Sequence, residues 1–207
     1  MNLNKGLVEV KRFLYNAYEG MDSMNKLILI TGDLAAGKST FASWISQKFQ
    51  IPWFCKDQMK EVLGDTIGFH NREENLKLSY ATMELMFLHF VNLTKLHMDV
   101  ILEANFHEKE LIKIAGLAKK HQYDMITLDL QADLSILYQR YMHRANYEHR
   151  HPVHLSTPFD DFQEFRKYIE TGRQEKRIGK VISVQANDFS YQRDPALIQE
   201  ISDFLKA

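Results

Sequence analysis

Residues 26–40 read KLILITGDLAAGKST, and this stretch decides the fold. Its first part, residues 26–31, is a short apolar run of the kind that forms a buried strand. Its second part, residues 32–40, fits the pattern G-x-x-x-x-G-K-[ST] at every fixed position and opens a predicted helix over 39–49. An ordinary glycine-containing turn also joins strands to helices, but the strand–turn–helix setting favours a phosphate-binding loop (P-loop).

Each fixed position of the P-loop has a physical reason. Gly32 permits a sharp turn out of the strand, and residues 35–37 carry little or no side chain, so backbone N–H groups can approach phosphate oxygens. The positive end of the following helix points at the same anion. We expect Lys38 to contact the β- and γ-phosphates of ATP and the Ser39 hydroxyl to ligate Mg2+. The predicted nucleotide-binding residues are Gly32, Asp33, Leu34, Ala35, Ala36, Gly37, Lys38, Ser39 and Thr40.

Strands and helices alternate along the rest of the chain. Besides 26–31, apolar runs predict strands at 52–56, 99–104, 123–130 and 181–186. Helical spacing predicts helices at 39–49, 58–63, 73–98, 108–121, 133–145, 159–171 and 195–205. Gly64 and Gly68 predict a loop, and residues 146–158 are expected to be irregular. This alternation predicts an α/β domain with a parallel sheet covered on both faces.

Residues 1–23 are predicted to form a helical extension before this domain, which spans 24–207. Leucine, valine and alanine recur at helical spacing over 3–19. This helix could pack on the domain or contact a partner. The first residues lack an apolar signal-peptide core, and the apolar stretch 76–98 is too polar for a membrane span, so the cytoplasm is the expected location.

Composition limits the classes of function. The chain has 207 residues, 45% of them hydrophobic and 26% charged, which is typical of a globular domain. Its formal net charge of −1 argues against a dedicated nucleic-acid binder. Its single cysteine, Cys55, excludes an internal disulfide.

Two acidic residues follow strands that neighbour the P-loop in the predicted sheet. Asp57 comes just after the second predicted strand, where it could accept the proton of an acceptor hydroxyl or simply cap the next helix. Glu103 ends the apolar run of the third strand, where it could hold Mg2+ or face solvent. Asn105 and His107 follow at the same edge as candidate polar contacts or plain loop residues. Open α/β sheets bind ligands at this edge.

An arginine-rich and histidine-rich stretch follows the fourth strand. Arg140 and Arg144 are four residues apart and share one helix face, so a mobile lid could bring them to a transferring phosphoryl group. A solvated basic face is the alternative. Arg150 is a further candidate, and we expect Arg144 to matter most. The histidines of this stretch lack zinc-ligand spacing and are candidates for shaping an acceptor pocket: His149, His151 and His154.

These motifs resemble the small P-loop kinases of the zeta toxin and polynucleotide kinase type, a group that includes many AAA family ATPase proteins. The resemblance rests on the P-loop, on KDQMKE at 56–61, on VILEAN at 100–105 and on the arginine-rich stretch at 140–154. It implies a P-loop NTPase three-layer sandwich with a five-stranded parallel sheet in the order 2-3-1-4-5, helices on both faces and a mobile lid at about 140–158.

The chain departs from this group at two positions. Lys60 stands where the group has arginine, and it cannot contact an anion with two parallel hydrogen bonds as arginine does. Glu103 stands where the group usually has aspartate, so the charge is kept. The resemblance implies ATP with Mg2+ as cofactors, Lys38, Asp57, Arg140 and Arg144 as catalytic residues, and Ser39 and Glu103 as metal ligands.

Three functions fit this pattern. The first transfers the γ-phosphoryl of ATP to a hydroxyl of a small-molecule acceptor. The second transfers it to a nucleic-acid 5′-hydroxyl, which the near-zero net charge disfavours. The third is a nucleotide-dependent switch or ATPase without an acceptor. A GTPase would carry D-x-x-G and N-K-x-D motifs, which the chain lacks at the required places. The acceptor's identity and the oligomeric state stay open.

Overall fold

The computed structural model describes residues 24–147, 151–154, 159 and 161–207. The extension predicted at 1–23 lies outside the described residues, as do His149 and Arg150. The strands are β1 (Asn25–Gly32), β2 (Trp53–Cys55), β3 (Val100–Glu103), β4 (Tyr123–Gln131) and β5 (Lys180–Gln185). The helices are α1 (Lys38–Phe49), α2 (Lys56–Ile67), α3 (Arg72–Thr94), α4 (Glu108–Lys120), α5 (Leu134–Tyr147), α6 (Phe162–Arg173) and α7 (Pro195–Lys206), with a 3-10 turn at Ser190–Arg193.

The five strands form one parallel sheet in the order β2-β3-β1-β4-β5. This confirms the predicted sheet and its order. β1 is central, and its residue Ile30 pairs with Glu103 on one side and Leu128 on the other. The carboxyl ends of β1, β2 and β3 therefore meet at one edge, where the P-loop leaves β1.

Helices cover both faces of the sheet. β1 directs its apolar side chains alternately to the two faces, so each face needs this cover. Ile28 and Ile30 pack on one face with side chains of α1, α5, α6 and α7. Leu27 and Leu29 pack on the other face with side chains of α3 and α4. The prediction of helices on both faces is confirmed. Among the described residues, no helix is long and apolar enough to cross a bilayer.

Gly64 lies inside α2, so the prediction of a loop at this position is wrong. The helix continues to Ile67 and ends at Gly68, whose φ is 77° and whose N–H donates to the carbonyl of Gly64. A β-carbon placed on Gly64 would lie 3.0 Å from Cγ2 of Val153 and 3.3 Å from Cε1 of His151. Gly64 thus allows close packing of the segment at 151–154 against α2, a reason that helix propensity does not show.

Candidate active site

The P-loop has the backbone geometry that its glycines predict. Gly32 has φ of 129°, and a β-carbon there would collide with the carbonyl oxygen of Leu130 on β4. Ala35 and Gly37 also have left-handed backbone, with φ of 65° and 85°. Helix α1 begins directly after Gly37, so its first N–H groups have no intrahelical acceptors and are available to an anion.

The ammonium group of Lys38 lies across the mouth of the P-loop. Its Nζ donates to the carbonyl oxygens of Gly32 at 3.2 Å and Asp33 at 2.8 Å. Burial lowers the pKa of Lys38, and the nearby carboxylates of Glu103 and Asp57 act in the opposite direction. A phosphate group is a stronger partner for a buried ammonium than two neutral carbonyls.

The carboxylate of Glu103 is buried at the end of β3, with only 4% of the residue exposed, so the solvent-facing alternative is excluded. The Ser39 hydroxyl donates to its Oε1 at 3.2 Å. Its Oε2 is buried without an N–H or O–H donor among the described residues. Burial raises the pKa of Glu103, while the Cys55 thiol and the Lys38 ammonium act against that rise.

This pair of oxygen groups fits a divalent cation. Ser39 and Glu103 meet beside the P-loop, and Mg2+ takes hydroxyl and carboxylate oxygens as ligands. Buried polar atoms normally have partners, so the orphaned Oε2 marks a position where a cation or its bound water would supply one. The residues predicted as metal ligands are therefore brought together.

Asp57 lies in the first turn of α2, whereas Cys55 occupies the N-cap position and makes no side-chain capping hydrogen bond. The alternative role of Asp57 as a helix cap is therefore not adopted. Its side chain is exposed and lines the same cleft as Lys38 and Glu103. A carboxylate in this place is free to contact a ligand.

The cleft around these residues has a volume of about 510 Å3. It extends from Asp57 and Glu103 across the P-loop to the turn after β5, and Arg144 and Phe189 also line it. Arg140 lies in this cleft but donates to the carbonyl oxygens of Ala186 and Asn187, both at 2.8 Å. Arg140 thus braces the turn after β5, a contact that helix spacing does not reveal.

Sequence reasoning missed a second cavity of about 500 Å3 on the other side of the P-loop. It lies between the start of the P-loop, the loop after β3 and helix α6. Asn105 lines both cavities, and His107 lines only the second. Phe159, Lys167 and Tyr168 fall in the helix predicted at 159–171, and nothing in their spacing points to a ligand.

The side chain of Asp33 points away from the nucleotide cleft towards the end of α6. Its two oxygens accept three hydrogen bonds from Arg173, the shortest at 2.6 Å, and one from the N–H of Ala132 at 3.2 Å. Arg173 also donates to the carbonyl oxygen of Ala132 at 2.6 Å. This ion pair, called the Asp33–Arg173 latch below, joins residues 140 positions apart, so no local sequence pattern could have revealed it.

His151, His154 and Lys60 hold the segment at 151–154 against helices α2 and α3. His151 pairs with Asp65 at 2.9 Å and His154 pairs with Glu61 at 2.7 Å. Lys60 is buried and donates to Asn75 at 2.8 Å and to the carbonyl of Val153 at 3.1 Å. Lys60 is thus occupied by protein partners at the position where the resembling kinases carry arginine.

Comparison with known proteins gives matches at the level of structure. No protein-family model and no curated protein sequence matches the chain. A candidate kinase from Chloroflexus aurantiacus is 22% identical with a TM-score of 0.73, covering 89% of this chain and 98% of its own. Shikimate kinase from Bacteroides thetaiotaomicron is 15% identical with a TM-score of 0.53, covering 88% and 99%.

The Mycobacterium tuberculosis APS kinase, solved with AMPPNP and APS, has 15% identity and a TM-score of 0.52, covering 89% of this chain and 99% of its own. The chain has the P-loop kinase fold. Identities this low show the fold alone, so the chemistry of this chain has to be argued from its own residues.

Proposed function

We propose that the protein is a kinase that transfers the γ-phosphoryl group of MgATP to a hydroxyl of a small-molecule acceptor. One observation carries the proposal: an ammonium, a hydroxyl and two carboxylates from three adjacent strand ends line one cleft. Lys38 and Ser39 follow β1, Asp57 follows β2 and Glu103 ends β3. Phosphoryl transfer needs charge compensation, a metal position and a group that orients the nucleophile.

The P-loop backbone and Lys38 would hold the β- and γ-phosphates, and Ser39 and Glu103 would hold Mg2+. The metal, when bound, neutralises the charge that develops on the phosphoryl oxygens. Lys38 would exchange its carbonyl partners, Gly32 and Asp33, for phosphate oxygens. The turn after β5, which Arg140 braces, would receive the adenine ring of the nucleotide. The resemblance favours ATP as that nucleotide.

Asp57 would accept the proton of the acceptor hydroxyl, because its exposed carboxylate lines the cleft on the side away from the proposed position of the adenine ring. Arg144 lies close enough that its charge lowers the pKa of Lys38. An arginine there would stabilise the equatorial oxygens of the transferring group. The lid predicted at about 140–158 would be anchored to α2 through its described residues His151 and His154.

The test is ATP turnover with Mg2+ across a panel of hydroxyl-bearing metabolites and antibiotics. We expect one compound to stimulate turnover, and we expect Lys38→Ala and Asp57→Asn each to abolish the stimulation. Because Asp57 is assigned to the acceptor, Asp57→Asn should lose about 100-fold or more in kcat while it keeps its nucleotide affinity.

Two other outcomes would redirect the assignment. Stimulation by oligonucleotides, weakened steeply by salt, would support a nucleic-acid 5′-hydroxyl kinase closer to the polynucleotide kinase type. Hydrolysis that no acceptor stimulates, lost in Lys38→Ala and unchanged in Asp57→Asn, would remove Asp57 as the base and favour a nucleotide-dependent switch.

A further inference from the structure

An exposed aromatic ring lines the nucleotide cleft at the turn after β5. Phe189 is 57% exposed, and its ring centroid lies 6.1 Å from that of Tyr191, which lines the same end of the cleft. Nucleotide bases stack on aromatic side chains whatever their identity, because every base has a π face. Phe189 therefore offers stacking to the base of a nucleotide without selecting between adenine and guanine.

Two backbone acceptors of this turn that could select adenine are already engaged. Arg140 donates through Nη1 to the carbonyl of Ala186 and through Nη2 to the carbonyl of Asn187, both at 2.8 Å. The side-chain oxygen of Asn187 accepts the N–H of Asp133 at 2.7 Å. Adenine carries an amine that donates where guanine carries a carbonyl that accepts. With a guanidinium bound to the two carbonyls, the adenine amine loses the acceptors that would distinguish it.

The guanidinium of Arg140 adds donors that suit guanine. Arg140 is half-buried and lines the cleft, and its remaining N–H groups have no acceptor among the described residues. Guanine presents O6 and N7 as adjacent acceptors, the pair that arginine contacts most often in DNA, whereas adenine presents N7 beside its amine. Arg140 can thus donate to N7 of either purine and to O6 of guanine.

The other polar side chains at this end of the cleft suit both purines. Asp188 is exposed and lines the cleft; hydrogen bonds from Ser190 lower its pKa, and the charge of Arg140 acts in the same direction. Its carboxylate can accept from the amine of adenine or from the N1–H and 2-amino groups of guanine. Tyr191 and His143 also line the cleft, and a hydroxyl or a neutral imidazole can both donate and accept.

We propose that the nucleotide site accepts guanine as well as adenine, so that GTP and ATP both serve as phosphoryl donors. Phe189 stacks on the base, and Arg140 contacts N7 and, in guanine, O6. The proposal rests on the kinase function proposed above. With either nucleotide, the acceptor oxygen bonds to the γ-phosphorus and the bond from that phosphorus to the β,γ-bridging oxygen breaks. The hydroxyl proton passes to Asp57, and ADP or GDP leaves with the bridging oxygen.

Isothermal titration calorimetry of MgADP and MgGDP with the full chain measures the base preference without an acceptor. We expect the Kd of MgGDP to be at most about tenfold above that of MgADP, since a site that reads one base by a bidentate contact discriminates by about tenfold or more. A larger difference in favour of MgADP overturns the proposal and leaves the kinase function standing. Failure of both nucleotides to bind overturns the proposal and the kinase function together.

Two variants assign the base contacts to residues. Phe189→Ala should weaken MgADP and MgGDP alike, about tenfold, because the stacked ring is lost. Arg140→Met should raise the ratio of the MgGDP Kd to the MgADP Kd about tenfold. In this variant O6 of guanine loses its donor, while the carbonyls of Ala186 and Asn187 become free for the adenine amine. The ratio is the readout, because a turn that is merely loosened weakens both nucleotides alike.

Tyr80→Ala and Arg166→Met change exposed side chains outside the cleft and are the matched controls, which should leave both Kd values unchanged. An unchanged ratio in Arg140→Met, or unchanged affinities in Phe189→Ala, overturns the proposal. If Arg140→Met does not fold, the wild-type ratio and Phe189→Ala still decide.

Turnover supplies a second readout, because MgGTP should replace MgATP with the acceptor that the panel identifies. Stimulated turnover with MgATP that MgGTP does not support overturns the proposal alone. A panel in which no acceptor stimulates turnover with either nucleotide overturns the kinase function and, with it, GTP as a phosphoryl donor.

Discussion

The buried carboxylate of Glu103 lowers the stability of the unliganded protein, although its proposed function as a metal ligand requires it. Its carboxylate is buried at the end of β3, and one of its oxygens has no N–H or O–H donor among the described residues. Burying a charge without full compensation is unfavourable. Such arrangements occur where a ligand supplies the missing partner, and here the proposed ligand is Mg2+.

We expect Glu103→Gln to stabilise the unliganded protein at about pH 8 by about 1–2 kcal/mol, because the variant removes a buried charge and keeps its shape. Burial raises the pKa of Glu103 from 4.5, so the folded state holds the proton more tightly than the unfolded state. Wild-type stability from this group is present below the unfolded value and is lost as pH rises through the folded pKa.

Urea unfolding of both proteins at about pH 5 and about pH 8 measures this difference, which should shrink at the lower pH. Glu73→Gln removes an exposed carboxylate from α3 and should change stability by less than about 0.5 kcal/mol at either pH. A variant less stable than wild type at the higher pH would show that Glu103 is satisfied within the protein. The same variant should lose its Mg2+-dependent activity.

At the scale of elements, the latch between Asp33 and Arg173 ties the P-loop to α6. Asp33 is 4% exposed at its side chain and Arg173 is 29% exposed, so the pair is largely shielded from water. Asp33 also accepts the N–H of Ala132 at the start of the turn into α5. One carboxylate thus fixes the P-loop relative to the wall of the second cavity.

Removing Arg173 should leave a buried carboxylate without its main partner. We expect Arg173→Met to destabilise the fold by about 2–4 kcal/mol and to weaken MgADP binding about tenfold, because the P-loop loses its anchor. Asp33→Asn combined with Arg173→Met should recover part of the stability, since no unpaired charge remains. A double-mutant cycle by urea unfolding, with MgADP titration of each protein, measures both effects. Strictly additive losses would contradict the latch.

Gly64 in α2 and Gly116 in α4 form a matched pair of helical glycines for testing the packing of α2. Nothing lies within 4 Å of a β-carbon placed on Gly116 in α4, whereas one on Gly64 meets Val153. Gly116→Ala should therefore stabilise the protein by about 1 kcal/mol through helix propensity alone. Gly64→Ala should lose that gain and destabilise by about 1 kcal/mol through overpacking. Equal stabilisation in urea unfolding would show that the contact with Val153 yields freely.

The sequence alone predicts the features that depend on residues close together in the chain. The apolar run of β1 and the glycines of the P-loop are visible in the sequence alone. Asp57 and Glu103 follow from strand ends that neighbour each other in a parallel sheet, and both line the cleft beside the P-loop. The latch of Asp33, the packing of Gly64 and the second cavity depend on contacts between residues far apart in sequence. Nothing in the spacing of α6 indicates that its last residue, Arg173, binds Asp33 of the P-loop.

At the scale of the whole molecule, the sheet joins two apolar cores through the strand that carries the P-loop. β1 contributes alternate side chains to both cores, and its last residue, Gly32, packs against β4. Any ligand that holds the P-loop therefore acts on the element that both cores share. Nucleotide binding should raise the stability of the molecule as one unit.

With MgADP at about 100 times its Kd, linkage predicts a gain of about 2.7 kcal/mol, or a rise in Tm of about 5–10 °C for a chain of this size. Lys38→Ala should lose most of the rise, and EDTA should reduce it in wild type by removing the cation that Ser39 and Glu103 are proposed to hold. Asp57→Asn should keep the full rise, since Asp57 is assigned to the acceptor and not to the nucleotide. Differential scanning fluorimetry of the three proteins measures this. A rise that survives in Lys38→Ala would place the nucleotide outside the P-loop.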